Sequence, residues 1–433
     1  MANTMYAPMA STAALLLVLL LTPATIWPSE RSATRGARFV KSQEYWPSSQ
    51  CRSCHASIYE QQLQSMHARS FTNPVFQAQY FEELLPEVEK NSRLRRDASG
   101  CIACHAPVAH ILRKGKVATR EDVDPEMSGV TCDFCHTIDG YRHDSPGNGN
   151  YISVPGDQKL GPFDYGPTLS WHRRYSELHT KSEFCAICHN QVNRHGLEIK
   201  ATFTEWKNSP YPQKGIECQD CHMNMQGFLT AGEPVYESGQ AAQTSLAYPP
   251  YRSKLYTHAF YGAHSRTQVI GALTLKIEVE EAAVSAGDEI GISVFVDNSR
   301  TGHKMPSGSA ELRFLWLELR AYALGNRFMG TTPIVVSTDL EGEDRYGMFG
   351  GSVIDRDVSK DDITTGSRVY RAILVDEAGK QTLSSYKATR IAFDNRLSAA
   401  EIRKEVYRFR VPENAKERLL LFADLYYFPI SLD

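Results

Sequence analysis

The sequence predicts an α+β protein in two parts, a loop-rich part of short helices followed by an antiparallel β-sandwich. Three observations support this prediction. All ten cysteines of the 433-residue chain lie in copies of one motif, C-x-x-C-H, within residues 46–265. From residue 269 cysteine is absent, and strand-like runs alternate with turn signals. The composition, 42% hydrophobic and 22% charged, is sufficient for a packed core and a soluble surface.

The first 27 residues predict an export signal or an N-terminal membrane anchor. Residues 13–21 read AALLLVLLL, which is typical of the apolar region of a signal peptide. With its flanks, residues 9–27, the stretch is marginal in length for a membrane span. No Lys or Arg precedes Arg31, and the cleavage signal is weak, so cleavage and anchoring both stay open. A polar linker, residues 28–45, follows.

The cysteines form five copies of one pattern, in which a histidine follows the second cysteine of each pair. The pairs are Cys51 and Cys54, Cys101 and Cys104, Cys132 and Cys135, Cys185 and Cys188, and Cys218 and Cys221, and the histidines are His55, His105, His136, His189 and His222. This motif attaches c-type haem. Two thiols one helical turn apart each bond a haem vinyl group, and the adjacent histidine binds the iron from the proximal side.

Zinc and disulfide bonds are the alternative uses of paired cysteines, and they fit this pattern less well. Zinc ribbons and thioredoxin-like sites contain C-x-x-C, but neither requires a following histidine. Zinc pairing also needs an even number of C-x-x-C units. A disulfide framework would not place every cysteine near another at one fixed spacing. We therefore predict five covalently bound c-type haems (iron), with ten thioether positions and five proximal ligands.

The positions of the motifs suggest how the haem sites are grouped. The motifs begin at residues 51, 101, 132, 185 and 218, so long and short steps alternate. This alternation predicts two close pairs, the second site with the third and the fourth with the fifth, and a first site further away. Residues 46–265 provide about 44 residues per haem site, which predicts short helices and long loops around the macrocycles.

Nine of the 14 histidines lie outside the motifs and are available as distal iron ligands. Two histidines on one iron suit electron transfer and block substrate binding. The alternative for each is a surface or core role without a metal. The best-placed candidates are His67, His110, His172, His179, His258 and His303.

The region 269–433 contains seven strand-like runs. They are LTLKIEVEEA, EIGISVFVDN, LRFLWLELRAYA, SRVYRAILVD, ATRIAFDN, EVYRFRVP and RLLLFADLYYF. Turn signals such as Ala286-Gly287-Asp288 separate them. Short alternating strands at this spacing predict an antiparallel β-sandwich.

The net charge excludes one class of partner, and the hydropathy pattern excludes one class of fold. The formal charge of −3 gives no basic excess with which to bind nucleic acid. Only the N-terminal apolar run approaches the length of a membrane span, so a polytopic membrane protein is excluded.

Several segments resemble the bacterial multihaem cytochromes c, including relatives of the tetrahaem redox partner of hydroxylamine oxidoreductase. The segments are GVTCDFCHTI, SEFCAICHNQ, FTEWKNSPYPQKGIECQDCHM and HAFYGAH. Later segments, NSRTGHKMPSG, LVDEAGK and FDNRLSAAEIR, resemble the C-terminal β-domain that often follows such haem modules. The resemblance covers most of the mature chain and implies a pentahaem cytochrome c domain, 46–265, and a β-domain, 269–433.

The resemblance also implies roles for individual residues. Closely spaced haems would carry electrons, mostly with two histidine ligands each. His67 and His303 match positions that supply distal ligands, and His303 would tie the β-domain to the haem domain through iron. The chain departs from the tetrahaem relative in having five motifs and a long β-domain.

Three classes of function stay open, of which one is a binding or assembly module whose β-domain docks a partner. The other two use the haems directly. The first is an electron carrier between an enzyme or quinol-linked donor and a terminal acceptor. The second is a multihaem oxidoreductase that acts on a small nitrogen or sulfur compound at one open-coordinate haem. No lysine replaces a proximal histidine, and no catalytic residue is assigned. The expected location is periplasmic or extracytoplasmic, either free or anchored to the inner membrane, with redox proteins as partners and an oligomer or filament as an open possibility.

A pyridine haemochrome assay tests the motif interpretation directly. We expect five haems per chain, because five complete C-x-x-C-H motifs are present and no cysteine is left over. Two haems or fewer would contradict the interpretation of the whole haem-motif part.

Overall fold

The computed structural model describes residues 45–164, 173–225, 234–243, 249–323, 334–335, 367–413, 415 and 418–429. The predicted export signal or anchor, the linker as far as residue 44 and the candidate ligand His172 lie outside the described residues. Within the described ranges, none of the helices is both long enough and apolar enough to cross a membrane.

The haem-motif part, residues 46–265, consists of short helices and loops, as predicted. Its α-helices are α1 Ser48–Cys51, α2 Ala56–Gln64, α3 Pro74–Gln77, α4 Leu85–Lys90, α5 Arg95–His105, α6 Pro107–Leu112, α7 Cys132–Cys135, α8 Ser182–His189, α9 Thr202–Lys207 and α10 Cys218–His222, and a further short helix, α11 Arg266–Val269, directly follows this part. A π-helical segment, Ala78–Leu84, joins α3 to α4. Every C-x-x-C-H motif begins in one of these helices, so the two thiols of each motif lie about one turn apart.

Side-chain caps start several of these helices at the required residue. Thr131 accepts a hydrogen bond from the backbone N–H of Phe134 at 3.2 Å and thereby begins α7 at the third motif. Glu217 and Asp220 form a reciprocal capping box at the start of α10, which carries the fifth motif. The positions of these two motif helices are therefore fixed by local sequence.

Small two-stranded ribbons separate the motif helices. The strands are β1 Ile138–Tyr141, β2 Tyr151–Ser153, β3 Lys159–Gly161, β4 Arg173–Tyr175, β5 Gln191–Val192, β6 Glu198–Lys200, β7 Glu237–Gln240 and β8 Tyr251–Leu255. Strands β1 and β2, β5 and β6, and β7 and β8 pair antiparallel, whereas β3 and β4 pair parallel.

The β-part, residues 269–433, is an antiparallel sandwich, as predicted. Its strands are β9 Thr274–Val279, β10 Glu289–Asp297, β11 Phe314–Ala323, β12 Ile334–Val335, β13 Arg368–Val375, β14 Arg390–Asp394, β15 Ile402–Arg410 and β16 Leu419–Phe428. One sheet has the order β15-β10-β9. In the other sheet, β11 pairs with β16 along its whole length. The opposite edge of β11 pairs with both β12 and β13, and β13 pairs in turn with β14. Each of the seven predicted runs forms a strand.

The core of the β-part lies between these two sheets. Alternate residues of β10, from Ile290 to Val296, are buried, which is the period of a strand with one face toward a core. They pack in one cluster with Leu317 of β11, Tyr370 of β13 and Tyr407 of β15. Apolar burial between the sheets therefore holds this part together.

The two parts contact each other within one compact unit, residues 40–433. Lys387 of the β-part makes ion pairs at 2.7 Å with Glu83 and Glu87 of the haem-motif part. The Tyr211 hydroxyl donates to the backbone carbonyl of Ser299 at 2.5 Å. The domain boundary predicted between residues 265 and 269 stays a prediction.

Truncation of Ile292 should destabilise the sandwich far more than truncation of an exposed residue on the neighbouring strand. Ile292 is fully buried, so Ile292→Ala should lower the free energy of unfolding by about 2–5 kcal/mol. Val406, which is 47% exposed on β15, is the matched control, and Val406→Ala should cost about 0.5 kcal/mol or less. Urea titrations followed by circular dichroism measure both, and equal losses would contradict the assigned core.

Candidate haem sites

The ten motif cysteines are all free thiols. All ten are described, and no disulfide bond joins any of them. Within the described part of the chain, no group of three or more His, Cys, Asp or Glu side chains is arranged to hold a metal ion. The motif begins at the first residue of α7 and of α10, whereas it lies at the end of α1, α5 and α8.

Contacts between thiols of different motifs show which sites adjoin. Cys51 of the first motif contacts Cys132 of the third, and this contact lowers the pKa of Cys132 to about 7. Cys104 of the second motif contacts Cys188 of the fourth, and Cys185 of the fourth contacts Cys218 of the fifth. The sites therefore adjoin as first with third, second with fourth, and fourth with fifth.

The prediction that the first site stands apart is wrong. Long-range hydrogen bonds bring the first motif against the third: the Trp46 N–H donates to Asp133 Oδ2 at 2.9 Å, and the Cys132 N–H donates to Ser48 Oγ at 3.1 Å. Asp133 is buried and makes an ion pair with Lys159. A buried carboxylate needs such partners, and one of them comes from the chain before the first motif.

Three of the proximal histidines are oriented by backbone carbonyls. Nδ1 of His55 lies 2.7 Å from the Ala241 oxygen, Nδ1 of His105 lies 2.8 Å from Ser70, and Nδ1 of His136 lies 2.5 Å from Leu160. A carbonyl oxygen only accepts, so Nδ1 carries the proton and the metal-binding lone pair is on Nε2. These residues therefore fit the proximal ligation of haem iron.

Burial keeps several imidazoles neutral, which is the form that binds a metal. Burial lowers the pKa of His105 and of His222 to about 4. It likewise lowers the pKa of His67 to about 3 and that of His258 to about 4. A buried site disfavours the charged imidazolium, so the lone pairs are available at neutral pH.

Ring distances show which histidines face each other. Two imidazoles that bind one metal ion from opposite sides, with metal–nitrogen bonds of about 2 Å, have ring centroids roughly 6 Å apart. The separation is 6.0 Å for His67 and His189, 6.3 Å for His136 and His258, and 6.2 Å for His222 and His303. Each pair combines a motif histidine with a sequence-predicted candidate, so the third, fourth and fifth sites have two imidazoles in place.

Two candidates lie near His136, and their hydrogen bonds separate them. His179 is at 5.9 Å, but its Nε2 lies 3.2 Å from the Cys135 carbonyl oxygen and its ring packs on Phe184 at 4.4 Å. His258 bonds the Tyr256 oxygen through Nδ1 at 3.0 Å, which leaves Nε2 for a metal. The geometry therefore favours His258 at the third site.

His110 is placed differently from the other candidates. Its Nδ1 lies 2.8 Å from the Tyr151 hydroxyl, and its ring meets the Tyr151 ring edge-on at 6.1 Å. Among the described residues, it has no motif histidine at the spacing of a shared metal. Its role as a distal ligand stays a prediction.

The second site is flanked by residues that sequence reasoning missed. The His105 ring stacks on Phe76 at 4.0 Å with an interplanar angle of 7°. In the described ranges, no second histidine ring lies at about 6 Å from His105. The charge of Lys200 acts on His105 and on both thiols of the motif, Cys101 and Cys104. No sequence signal marks Phe76 or Lys200, because both are distant from the motif along the chain.

Replacing His258 and His179 separately tests the assignment of the third site. We expect His258→Ala to convert one of five haems from low spin to high spin, because it removes the imidazole opposite His136. His179→Ala is the matched control and should leave the spin states unchanged. Electron paramagnetic resonance of the oxidised protein measures both, and the reverse outcome would assign the site to His179.

Comparisons with known proteins found a similarity in sequence and a similarity in fold. Residues 50–137 match the family model described as cytochrome c554 and c-prime. A penta-heme cytochrome c552 from Thermochromatium tepidum has a similar structure, with a TM-score of 0.57 and 19% sequence identity over 89% of this chain and 92% of that chain. No curated protein matches the sequence. Residues 50–137 are thus similar to cytochrome c554 and c-prime, and the fold is similar to that of a penta-heme cytochrome c552.

Proposed function

We propose that the protein is a multihaem c-type cytochrome that carries electrons through five covalently bound haems, between an enzyme or quinol-linked donor and a terminal acceptor. One observation carries the proposal: paired imidazoles lie at the third, fourth and fifth motifs. Thiol contacts join the first motif to the third, and the fourth motif to the second and the fifth, so every motif adjoins at least one other. Haem supplies a one-electron iron couple at each motif.

The surrounding residues support electron transfer in three ways. Carbonyl acceptors such as Leu160 hold the ring of a motif histidine in one orientation. The second imidazole of each pair occupies the position where a substrate would bind. Burial lowers the pKa of His67 and of His258 and so keeps these ligands in the neutral form. A site with fixed ligands in both oxidation states needs little rearrangement when an electron arrives.

The location and partners follow from the same proposal. Thioether attachment of haem and the apolar segment at residues 13–21 support an extracytoplasmic, periplasmic protein, either released or anchored at its N-terminus. The partners would be redox proteins that approach a haem closely, and association into an oligomer or filament would extend the path. Under this proposal, the chain is a relative of the tetrahaem redox partner of hydroxylamine oxidoreductase.

A second candidate function is an oxidoreductase that acts on a small nitrogen or sulfur compound. The second motif favours it, because no second histidine ring faces His105 among the residues that the structure describes. The positive charge of Lys200 acts on the same site, where it would attract an anion. This function would use one accessible site and leave the other four as an electron supply.

Carbon monoxide titration of the reduced protein separates these functions. We expect at most two molecules to bind per chain, because the third, fourth and fifth sites each hold two imidazoles. No binding would support the carrier alone. Binding together with turnover of nitrite, sulfite or hydroxylamine by the reduced protein would favour the oxidoreductase.

Two results would contradict the ligand arrangement itself. Binding of three or more molecules of carbon monoxide would mean that at least one assigned imidazole pair does not hold its site. A set of predominantly high-spin signals in the oxidised protein would lead to the same conclusion.

A further inference from the structure

The fifth site takes its two imidazoles from different parts of the fold. His222 belongs to α10 of the haem-motif part, whereas His303 follows β10 in the β-part, and their rings are nearly parallel at 4°. We infer that a ring of four charged residues, the Glu205 network (Glu205, Lys304, Arg396 and Asp394), positions His303 at this site. The inference rests on the proposed function, because it concerns residues that act toward bound haem.

Glu205 supplies the contact from the haem-motif part. It lies in α9, shortly before the fifth motif, and only 8% of its side chain is exposed. Oε1 pairs with the Arg396 guanidinium at 3.1 Å, and Oε2 accepts the backbone N–H of Lys304 at 3.1 Å. The residue directly after His303 is therefore bonded to the part of the protein that carries His222.

Arg396 and Asp394 close the ring from within the β-part. Arg396 donates to both oxygens of Asp394 at 2.9 Å and to the Pro306 carbonyl at 3.3 Å. The Lys304 ammonium pairs with Asp394 Oδ2 at 2.9 Å. Although burial opposes it, the cations Arg396 and Lys304 lower the pKa of Asp394 to about 2. The planar guanidinium is suited to bridging two carboxylates in this way.

Both sides of His303 are held by this arrangement. The His303 carbonyl accepts from Asn298 Nδ2 at 3.1 Å and from Thr301 Oγ1 at 3.0 Å. Its Nδ1 donates to the Lys304 carbonyl at 2.9 Å, which leaves Nε2 toward the site. The peptide group between His303 and Lys304 is therefore hydrogen-bonded through its oxygen within the β-part and through its N–H to Glu205 of the haem-motif part. A shift of either part would therefore move the His303 imidazole.

A purely stabilising role explains the network less well. Two carboxylates face two cations, and both Glu205 and Arg396 have lost water, which largely cancels the attraction between them. Buried ion pairs of this kind contribute little net stability, but they fix one geometry by direction and charge. Ligation of a metal tolerates only small displacements of the imidazole, so geometry is what the fifth site requires.

The test uses the full-length protein loaded with haem and measures spin state. His303→Ala is the reference and should convert one of five haems to high spin. Glu205→Gln and Arg396→Lys should each convert a fraction of that same haem, between zero and one per chain, and added imidazole should restore the low-spin signal. Combining Glu205→Gln with His303→Ala should give no more high-spin haem than His303→Ala alone.

Arg368→Lys is the matched control, because Arg368 makes a buried ion pair with Glu405 at 3.0 Å in the same β-part. It should lower the melting temperature to a similar extent without changing any spin state. Five low-spin haems in both Glu205→Gln and Arg396→Lys would overturn the inference. If Arg396→Lys does not fold, Glu205→Gln decides, because it conserves side-chain volume.

The failure of the proposed function gives a different result. Fewer than five haems in the unmodified protein, or five low-spin haems in His303→Ala, would contradict the assignment of the fifth site. If His303→Ala gives one high-spin haem but Glu205→Gln and Arg396→Lys give none, the fifth site stands as assigned and only the positioning role is rejected.

Discussion

The spacing of two thiols and one imidazole on a single helical turn is the constraint on which the rest of the structure depends. It fixes three attachment points but leaves the ring orientation of each histidine undetermined. Acceptors outside the motif supply that orientation, and one of them, Ala241, is 186 residues from His55. The irregular loops between the motifs therefore have a defined task, because they bring carbonyls and second imidazoles to the motif helices.

The predictability of each element depends on how local its cause is. Alternating residues such as Ile292 and Val294 predict β10 because one face of a strand must be buried, and the structure confirms it. The motif helices are equally local. The partnership of His67 with His189, or of His136 with His258, comes only from tertiary packing, so the sequence could provide candidates but not pairs.

The grouping of the sites shows why motif spacing is a weak guide to haem arrangement. Sequence distance constrains how far apart two motifs can be, but not which of them meet. The first and third motifs adjoin because the segment from Trp46 to Ser48 satisfies Asp133 and the Cys132 N–H. The need of a buried carboxylate for hydrogen-bond partners thus brings the first motif next to the third. The spacing of the motifs along the chain had predicted a first site further away.

The β-part has a core of its own, and both apolar clusters and directed polar contacts join it to the haem-motif part. An apolar interface would bury as much surface, but it would allow small sliding between the two faces, because hydrophobic contact has no direction. The bidentate pair of Arg396 with Asp394 and the two-sided use of Glu205 do have direction. If one ligand of a metal site comes from across an interface, that interface must position the ligand to within about an ångström. A fully paired ring of charges can do so although it adds little net stability.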